Sequence, residues 1–322
     1  MWKSFNQNDE EWKKIVISQD NTSYFHDTEW SNHFSNLGWI SKRWVFYKKD
    51  RPITFLQGFI KKYSLGIGII WFPDWITSDL SFSKEFQNFI KKDLNLSFIY
   101  IRFCSKREFK EHDRKLLISN KWTRPTSLFS TDLTMELSLL PQENFRSNLK
   151  RNWRRSLDKS NDSDIFIEQI YNYETICNLY DELKSLKSLN KKDLFSAAEI
   201  KSIYESFGDN IIVLGAKNST GKVIAIRAAI IHKDCAWDIF AAAGEISRML
   251  FASHKLFVSL IEECKKRGCV RYDLSGIDPV NGYGVYNFKK GTGASEKKHL
   301  GEFEWSNNLI LKKMVNLMTK YR

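Results

Sequence analysis

Cysteine and proline are scarce, at five residues each in a chain of 322. Cys104, Cys177, Cys235, Cys264 and Cys269 are odd in number and form no CxxC pair, which excludes a disulfide framework and a zinc ribbon and points to a reducing cytosol. No histidine pair stands at metal-ligand spacing, so no metal site is expected. Neither a Gly-x-Ser-x-Gly elbow nor a marked Cys/His dyad is present, which removes the common signatures of nucleophilic hydrolases. Long apolar runs are also lacking. No uninterrupted stretch could cross a bilayer, and Met1 to Glu10 contains no signal-peptide core, so the sequence reads as cytoplasmic, without a transmembrane segment.

What the chain does have is positive charge, with 50 Lys and Arg against 38 Asp and Glu, a formal net charge of +12. Such a balance attracts phosphates, nucleic acid or an anionic membrane face. The length suits two domains, and two stretches follow one plan. Trp44–Tyr47, a turn at Lys48–Arg51 and Pro52–Ile60 read as a hairpin, followed by a helix near Ser83–Asp93 and a strand at Phe98–Phe103. Ile211–Ala216, a turn at Asn218–Gly221, Val223–Ile231 and Ala236–Ala242 repeat that pattern, followed by a helix at Phe251–Arg267 and a strand at Cys269–Leu274. The expected boundary lies near residue 137, giving domains 1–137 and 138–322. Between the copies Pro141 to Glu143 suit a first helical turn, and a basic helix is expected over 144–159. Phe145, Leu149, Trp153 and Leu157 form its buried stripe, leaving Lys150, Arg151, Arg154 and Arg155 on the cationic side. A helical pair follows over 173–207.

The densest local signal is Tyr272-Asp273-Leu274-Ser275-Gly276, then Phe288-Lys289-Lys290-Gly291-Thr292-Gly293, then Leu300-Gly301-Glu302-Phe303. Read alone, this is a strand ending in a glycine-containing loop, with Gly291 and Gly293 permitting close backbone approach to a ligand. A single charge, Arg227, interrupts the apolar strand Val223–Ile231 and must reach an anion or the sheet edge. Asp273 and Asp278 are the nearest carboxylates to that loop and could serve acid–base chemistry, or Asp273 could cap the loop, and Tyr286 could line a groove or pack.

These three elements, in this order and spacing, resemble the C-terminal signature of the FemAB family of cell-wall aminoacyltransferases. Leu149, Asn152, Arg154 and Arg155 are similar to that family's Leu-x-x-Asn-x-Arg-Arg segment, and Phe25, Thr28 and Trp30 fall in a stretch like its N-terminal entry. The resemblance implies an α+β fold of two tandem GNAT-like units, of the acyl-CoA N-acyltransferase type, with mixed β-sheets flanked by helices. It implies transfer of an amino acid from aminoacyl-tRNA to an amine on a peptidoglycan precursor or related envelope glycan, by a monomer needing no cofactor. The acceptor could be lipid-linked, placing the protein at the inner membrane face.

In that family Lys289 would neutralise the oxyanion and Phe288 would stand at the acceptor site, in a catalytic loop within 272–303. Arg227, Asp273, Tyr286, Gly291 and Gly293 become acceptor-binding candidates, and Lys150, Arg151, Arg154 and Arg155 contacts for tRNA or another phosphate. Two departures stand out. Thr292 replaces an aromatic, and Leu189 to Ser196 offers no arginine for a UDP-linked substrate, only Lys191 and Lys192. Two further readings compete. One is an N-acyltransferase using acetyl-CoA or another acyl-CoA on a nucleotide- or lipid-linked amino sugar, although Gly244–His254 holds only one Arg and one Gly for a pyrophosphate. The other is a noncatalytic RNA-binding protein.

Overall fold

The computed structural model describes residues 1–75, 80–140, 145–185 and 194–321. The expected first turn at Pro141 to Glu143, and Asn144 after it, lie outside the described residues. The chain forms two compact units, one of Met1–Asp132 with the segment from Lys298 onward, the other of Leu133–Lys297. This division differs from the expected 1–137 and 138–322, because the last 25 residues pack with the first unit.

In chain order the first unit carries β1 (Trp2–Ser4), α1 (Asp9–Ser18), α2 (Thr28–Asn36), β2 (Ile40–Lys48), β3 (Arg51–Tyr63), β4 (Ile67–Phe72), α3 (Phe82–Asp93), β5 (Phe98–Glu108) and α4 (Glu111–Ser119). The second begins with β6 (Leu133–Ser138), α5 (Phe145–Asn148), α6 (Arg151–Asn161), β7 (Phe166–Gln169), α7 (Tyr173–Ser185) and α8 (Ala197–Phe207). It continues through β8 (Ile211–Lys217), β9 (Val223–His232), β10 (Cys235–Ala243), α9 (Glu245–Met249), α10 (Ala252–Lys266), β11 (Arg271–Gly276) and α11 (Tyr283–Gly291). Strand β12 (Ser295–Ser306), from Lys298 on, and α12 (Leu309–Tyr321) belong to the first unit. Among the described residues, no helix is long and apolar enough to cross a membrane.

Each unit holds one mixed sheet on a shared plan. The first runs β1-β2-β3-β4-β5-β12 and the second β7-β8-β9-β10-β11-β6. In each, the fourth and fifth strands pair parallel and the other neighbours antiparallel. Five strands come in sequence order, and the sixth is supplied by the opposite half of the chain. A strand's alternation reveals that it pairs, but not with which sheet. That exchange is why a boundary drawn along the sequence misplaces the C-terminal segment.

Local chemistry fixes these elements. Lys49 and Asp50 adopt positive φ of 49° and 59°, the twist a two-residue hairpin demands between β2 and β3. Asn8 accepts the Glu11 amide at 3.0 Å to start α1, and Ser196 and Glu199 form a reciprocal capping box on α8. The first unit closes over an aromatic core of Trp44, Phe72, Trp75, Phe86, Phe103 and Trp122, its rings meeting mostly edge to face. The second packs Leu149, Trp153 and Leu157 with Phe257, Leu260 and Tyr272.

The two parallel pairs differ. In the first unit, all six residues of β4 pair with β5, from Ile67 opposite Phe98 to Phe72 opposite Phe103. In the second, β10 and β11 pair only from Cys235 opposite Arg271 to Trp237 opposite Asp273. There the ladder stops, a bulge begins at Asp238, and β10 continues to Ala243 without β11.

Candidate functional site

The chemistry-bearing residues of the second unit gather where that ladder opens. Arg227 on β9 meets the Asp238 carboxylate through two hydrogen bonds, Nε to Oδ1 at 3.0 Å and Nη2 to Oδ2 at 2.6 Å. Tyr272 on β11 donates its hydroxyl to Asp238 Oδ1 at 3.0 Å. All three side chains are buried. Burial opposes the Arg227 charge, but Asp238 and Tyr272 outweigh it and hold its pKa above the usual value. Burial, helped by Asp238, lifts the Tyr272 hydroxyl well above its ordinary pKa. The anion that Arg227 requires is therefore supplied from within the unit, by Asp238. An acid alone in the apolar strand across the hairpin was the sequence signal for that partner.

Strand β11 is interrupted one residue before its end by Ser275, which takes a φ of +61°. Two contacts hold that strained residue, and a third holds its Asp273 partner. Its amide donates to Asp273 Oδ1 at 2.7 Å, and its hydroxyl donates to the Asp238 carbonyl at 2.5 Å. Thr134 Oγ1 also donates to Asp273 Oδ1, at 2.7 Å. Asp273 thus caps the turn, one of the two roles open to it from sequence. The result is that two successive carbonyls, of Ser275 and Gly276, face one ammonium, Lys289 Nζ, at 3.3 and 2.8 Å.

Lys289 is 6% exposed. Its pKa is lowered from 10.5 to about 8, chiefly by burial, with Arg227 lowering it further and Asp238 and Asp273 opposing. Its two hydrogen bonds go to neutral carbonyls. A group in this state is a cation at neutral pH that is poorly solvated and close to releasing its proton. Such a charge can stabilise an oxyanion forming beside it.

The structure places Phe288 and Lys289 on the last turns of α11, not in a loop. A helix forms because packing of Tyr286 and Phe288 on the core outweighs its glycines, and Thr292 Oγ1 closes its end by donating to the Lys289 carbonyl at 2.6 Å. The residue that departs from the family pattern is thus a buried helix stop. Phe288 lies among Trp153, His254 and Phe257, with ring centroids 5.6, 5.1 and 6.0 Å away, and the Arg227 guanidinium is 5.3 Å from its centroid. Burial depresses the His254 pKa to about 4, so this ring is neutral at pH 7.

The glycines serve a different approach from the one expected. A Cβ on Gly291 would stand 2.4 Å from Trp153 Cδ1, and one on Gly293, at φ +84°, 2.5 Å from the Asn148 carbonyl. The Lys150 amide donates to the Gly291 carbonyl at 2.9 Å. Backbone closeness here docks the basic segment onto α11. The basic segment is also not one helix. It breaks at Lys150, whose extended backbone separates α5 from α6. Leu149, Trp153 and Leu157 are buried even so, with Phe145 against them. Lys150, Arg151, Arg154 and Arg155 are exposed, Arg154 reaching the Leu149 carbonyl at 3.1 Å, while Arg146 pairs with Asp158.

Tyr286 lies one turn before Lys289 on α11. Its hydroxyl donates to Glu296 Oε1 and accepts from Lys290 Nζ, both at 2.7 Å. Leu300 to Phe303 belong to the first unit, where Glu302 pairs with Arg102. Lys191 and Lys192 lie outside the described residues. The Gly244–His254 segment holds α9, a turn at Phe251 with φ +54° and the start of α10. Amides of Arg248, Leu250, Phe251 and His254 are spent on internal carbonyls, and the Glu182 carboxylate sits against Gly244 at the head of α9. A phosphate approaching the head of α9 would meet a like charge there.

No curated protein matches the sequence. The chain is similar in structure to FemX, at 14% identity and a TM-score of 0.80, over 98% of this chain and 100% of that one. It is also similar to L-PGS from Bacillus licheniformis, at 12% identity and a TM-score of 0.52, over 97% and 95%. A tandem GNAT protein from the clavulanic acid biosynthesis pathway matches at 8% identity and a TM-score of 0.58, over 96% and 98%. These likenesses establish the tandem GNAT-like α+β fold. The model of the FemAB family matches residues 143–320, more than half of the sequence, and the chain belongs to the FemAB family.

Proposed function

We propose that this protein is an acyltransferase that moves an amino acid from aminoacyl-tRNA to an amine on a peptidoglycan precursor or related envelope glycan. Family membership supports acyl transfer, and the likeness to FemX supports a cell-wall precursor as acceptor. The observation that carries the reading is Lys289, a buried ammonium of lowered pKa held by two carbonyls at the end of β11.

Attack of an amine on the ester forms a C–N bond and puts negative charge on the carbonyl oxygen. Lys289 would stabilise that charge, a contribution of about 3 to 4 kcal/mol for one well-placed donor. Collapse of the intermediate breaks the C–O bond and releases the tRNA hydroxyl, which takes up the proton lost by the amine. Phe288 and the rings around it would keep water from the ester. Exposed Lys150, Arg151, Arg154 and Arg155 would contact the tRNA backbone through salt-sensitive phosphate pairs. The donor is itself a substrate, so no bound cofactor enters this scheme. The protein would act as a monomer in the cytoplasm, reaching a lipid-linked acceptor at the inner membrane face.

The acyl-CoA reading draws on the GNAT-like fold, and the Glu182 carboxylate at the head of α9 weighs against it. The test is to supply the purified protein with radiolabelled aminoacyl-tRNA or acetyl-CoA, each with envelope precursors. Acceptor-dependent loss of the tRNA ester is expected. Consumption of the CoA thioester alone would overturn the proposal.

A further inference from the structure

The first unit presents apolar side chains to solvent at one end, in three segments tied together by hydrogen bonds. Ser97 donates its amide to the Gly66 carbonyl at 2.9 Å, and Asn307 Nδ2 donates to the Ser97 carbonyl at 2.9 Å. Next to these ties stand Leu65, Phe98, Leu309 and Ile310. Leu65 is 84% exposed and holds a φ of +61°, a conformation that costs a leucine backbone energy while presenting its side chain to water. Leu309 and Ile310 are 74% and 72% exposed.

From this end runs α12. Leu311 and Val315 anchor it on Tyr100, Ile67 and Ile69. Its outer face carries Ile310, Met314, Leu317 and Met318, all exposed and spaced to form one stripe, with exposed Lys313 and Lys320 along an edge. Exposed Lys62, Lys91 and Lys92 stand near the tips, Lys62 Nζ donating to the Leu94 carbonyl at 3.3 Å. Single exposed apolar residues need no explanation, but a stripe continuous with a cluster of tips does.

We propose that this end of the first unit and the outer face of α12 dock on an anionic lipid bilayer. Aliphatic and Met side chains would enter the acyl boundary, and the lysines would pair with lipid headgroups. A second copy of the chain fits less well, because pairing through the stripe would bring its lysine edges toward like charge. A nucleic acid fits less well too, since the described side chains of the stripe are aliphatic and Met, on which bases do not stack. The inference goes beyond the transfer reaction and does not rest on its donor or acceptor.

The experiment is flotation of the full chain with phosphatidylcholine vesicles, with and without phosphatidylglycerol. The protein should float with the anionic vesicles, and salt should weaken that binding. Ile310→Ser with Leu317→Ser should lower partitioning on the order of tenfold or more. Lys313→Gln should lower it roughly fivefold, on anionic vesicles only. Leu65→Gly relieves the backbone strain, so it should weaken binding while leaving the melting temperature unchanged or raised. Absence of flotation, variants that float like the parent, or an α12 stripe that instead mediates self-association or tRNA binding would each overturn the proposal.

Discussion

The two units share strand order and strand direction, yet they treat their buried charges differently. In the first, Arg102 meets Glu302 at exposures of 1% and 0%. Glu302 Oε1 also accepts the amides of Phe129 and Ser130 and the Ser130 hydroxyl, at 2.9, 2.6 and 2.9 Å. Glu304 takes the Tyr100 hydroxyl at 2.7 Å and the Asn316 amide. Here the parallel ladder is complete, and charge meets countercharge. In the second unit the ladder opens after three pairs, Arg227 and Asp238 satisfy each other, and Lys289 has carbonyls in place of a carboxylate. One plan thus yields a charge network that holds a sheet together and a buried cation met by carbonyls alone.

That contrast can be broken from the first unit. Arg102→Met should destabilise the protein by about 3 to 5 kcal/mol in denaturant unfolding, because it leaves a buried carboxylate without its cation. Glu302→Gln should behave in the same direction. A change under about 1 kcal/mol would mean the network is not the structural element described here.

A smaller effect sharpens the second unit. Gly293→Ala puts a Cβ against the Asn148 carbonyl at a positive φ, so it should cost about 1 to 3 kcal/mol. It should also loosen the basic segment, read as weaker and less salt-dependent tRNA binding. Gly284→Ala, where a Cβ meets nothing within 4 Å, is the control. Equal behaviour of the two variants would remove the docking role given to Gly293.

Much of this was legible in residue patterns. Both hairpins and the strands and helices following them arise from alternation and periodicity that survive folding, as does the buried stripe Leu149, Trp153 and Leu157. The tandem plan followed from that repetition. Other features depend on distant partners. Exchange of β6 and β12 between sheets leaves no local mark, so the C-terminal segment was assigned to the wrong unit. Tyr283 to Gly291 reads as a loop because its glycines are poor helix formers, whereas packing of Phe288 against Trp153 and Phe257 overrides that preference. Arg227 carried half of its own answer, a demand for an anion, and Asp238 carried the other half eleven residues away. Ser275 gave no sign of its left-handed turn, since a serine there ordinarily continues the strand.

The most direct test of the account is turnover of the wild type and Lys289→Met across pH, alongside their thermal unfolding. The wild type should lose turnover as pH rises through about 8, where Lys289 releases its proton and the cation is lost. In the opposite sense, burying the Lys289 charge costs stability below about pH 8, and that cost is relieved as pH rises from about 8 to 10.5, since the unfolded state then binds more protons. Lys289→Met should fold, lose roughly 10² to 10³ in turnover at neutral pH and show no decline near pH 8. A folded Lys289→Met protein with wild-type turnover and an unchanged pH profile would contradict the placement of the site.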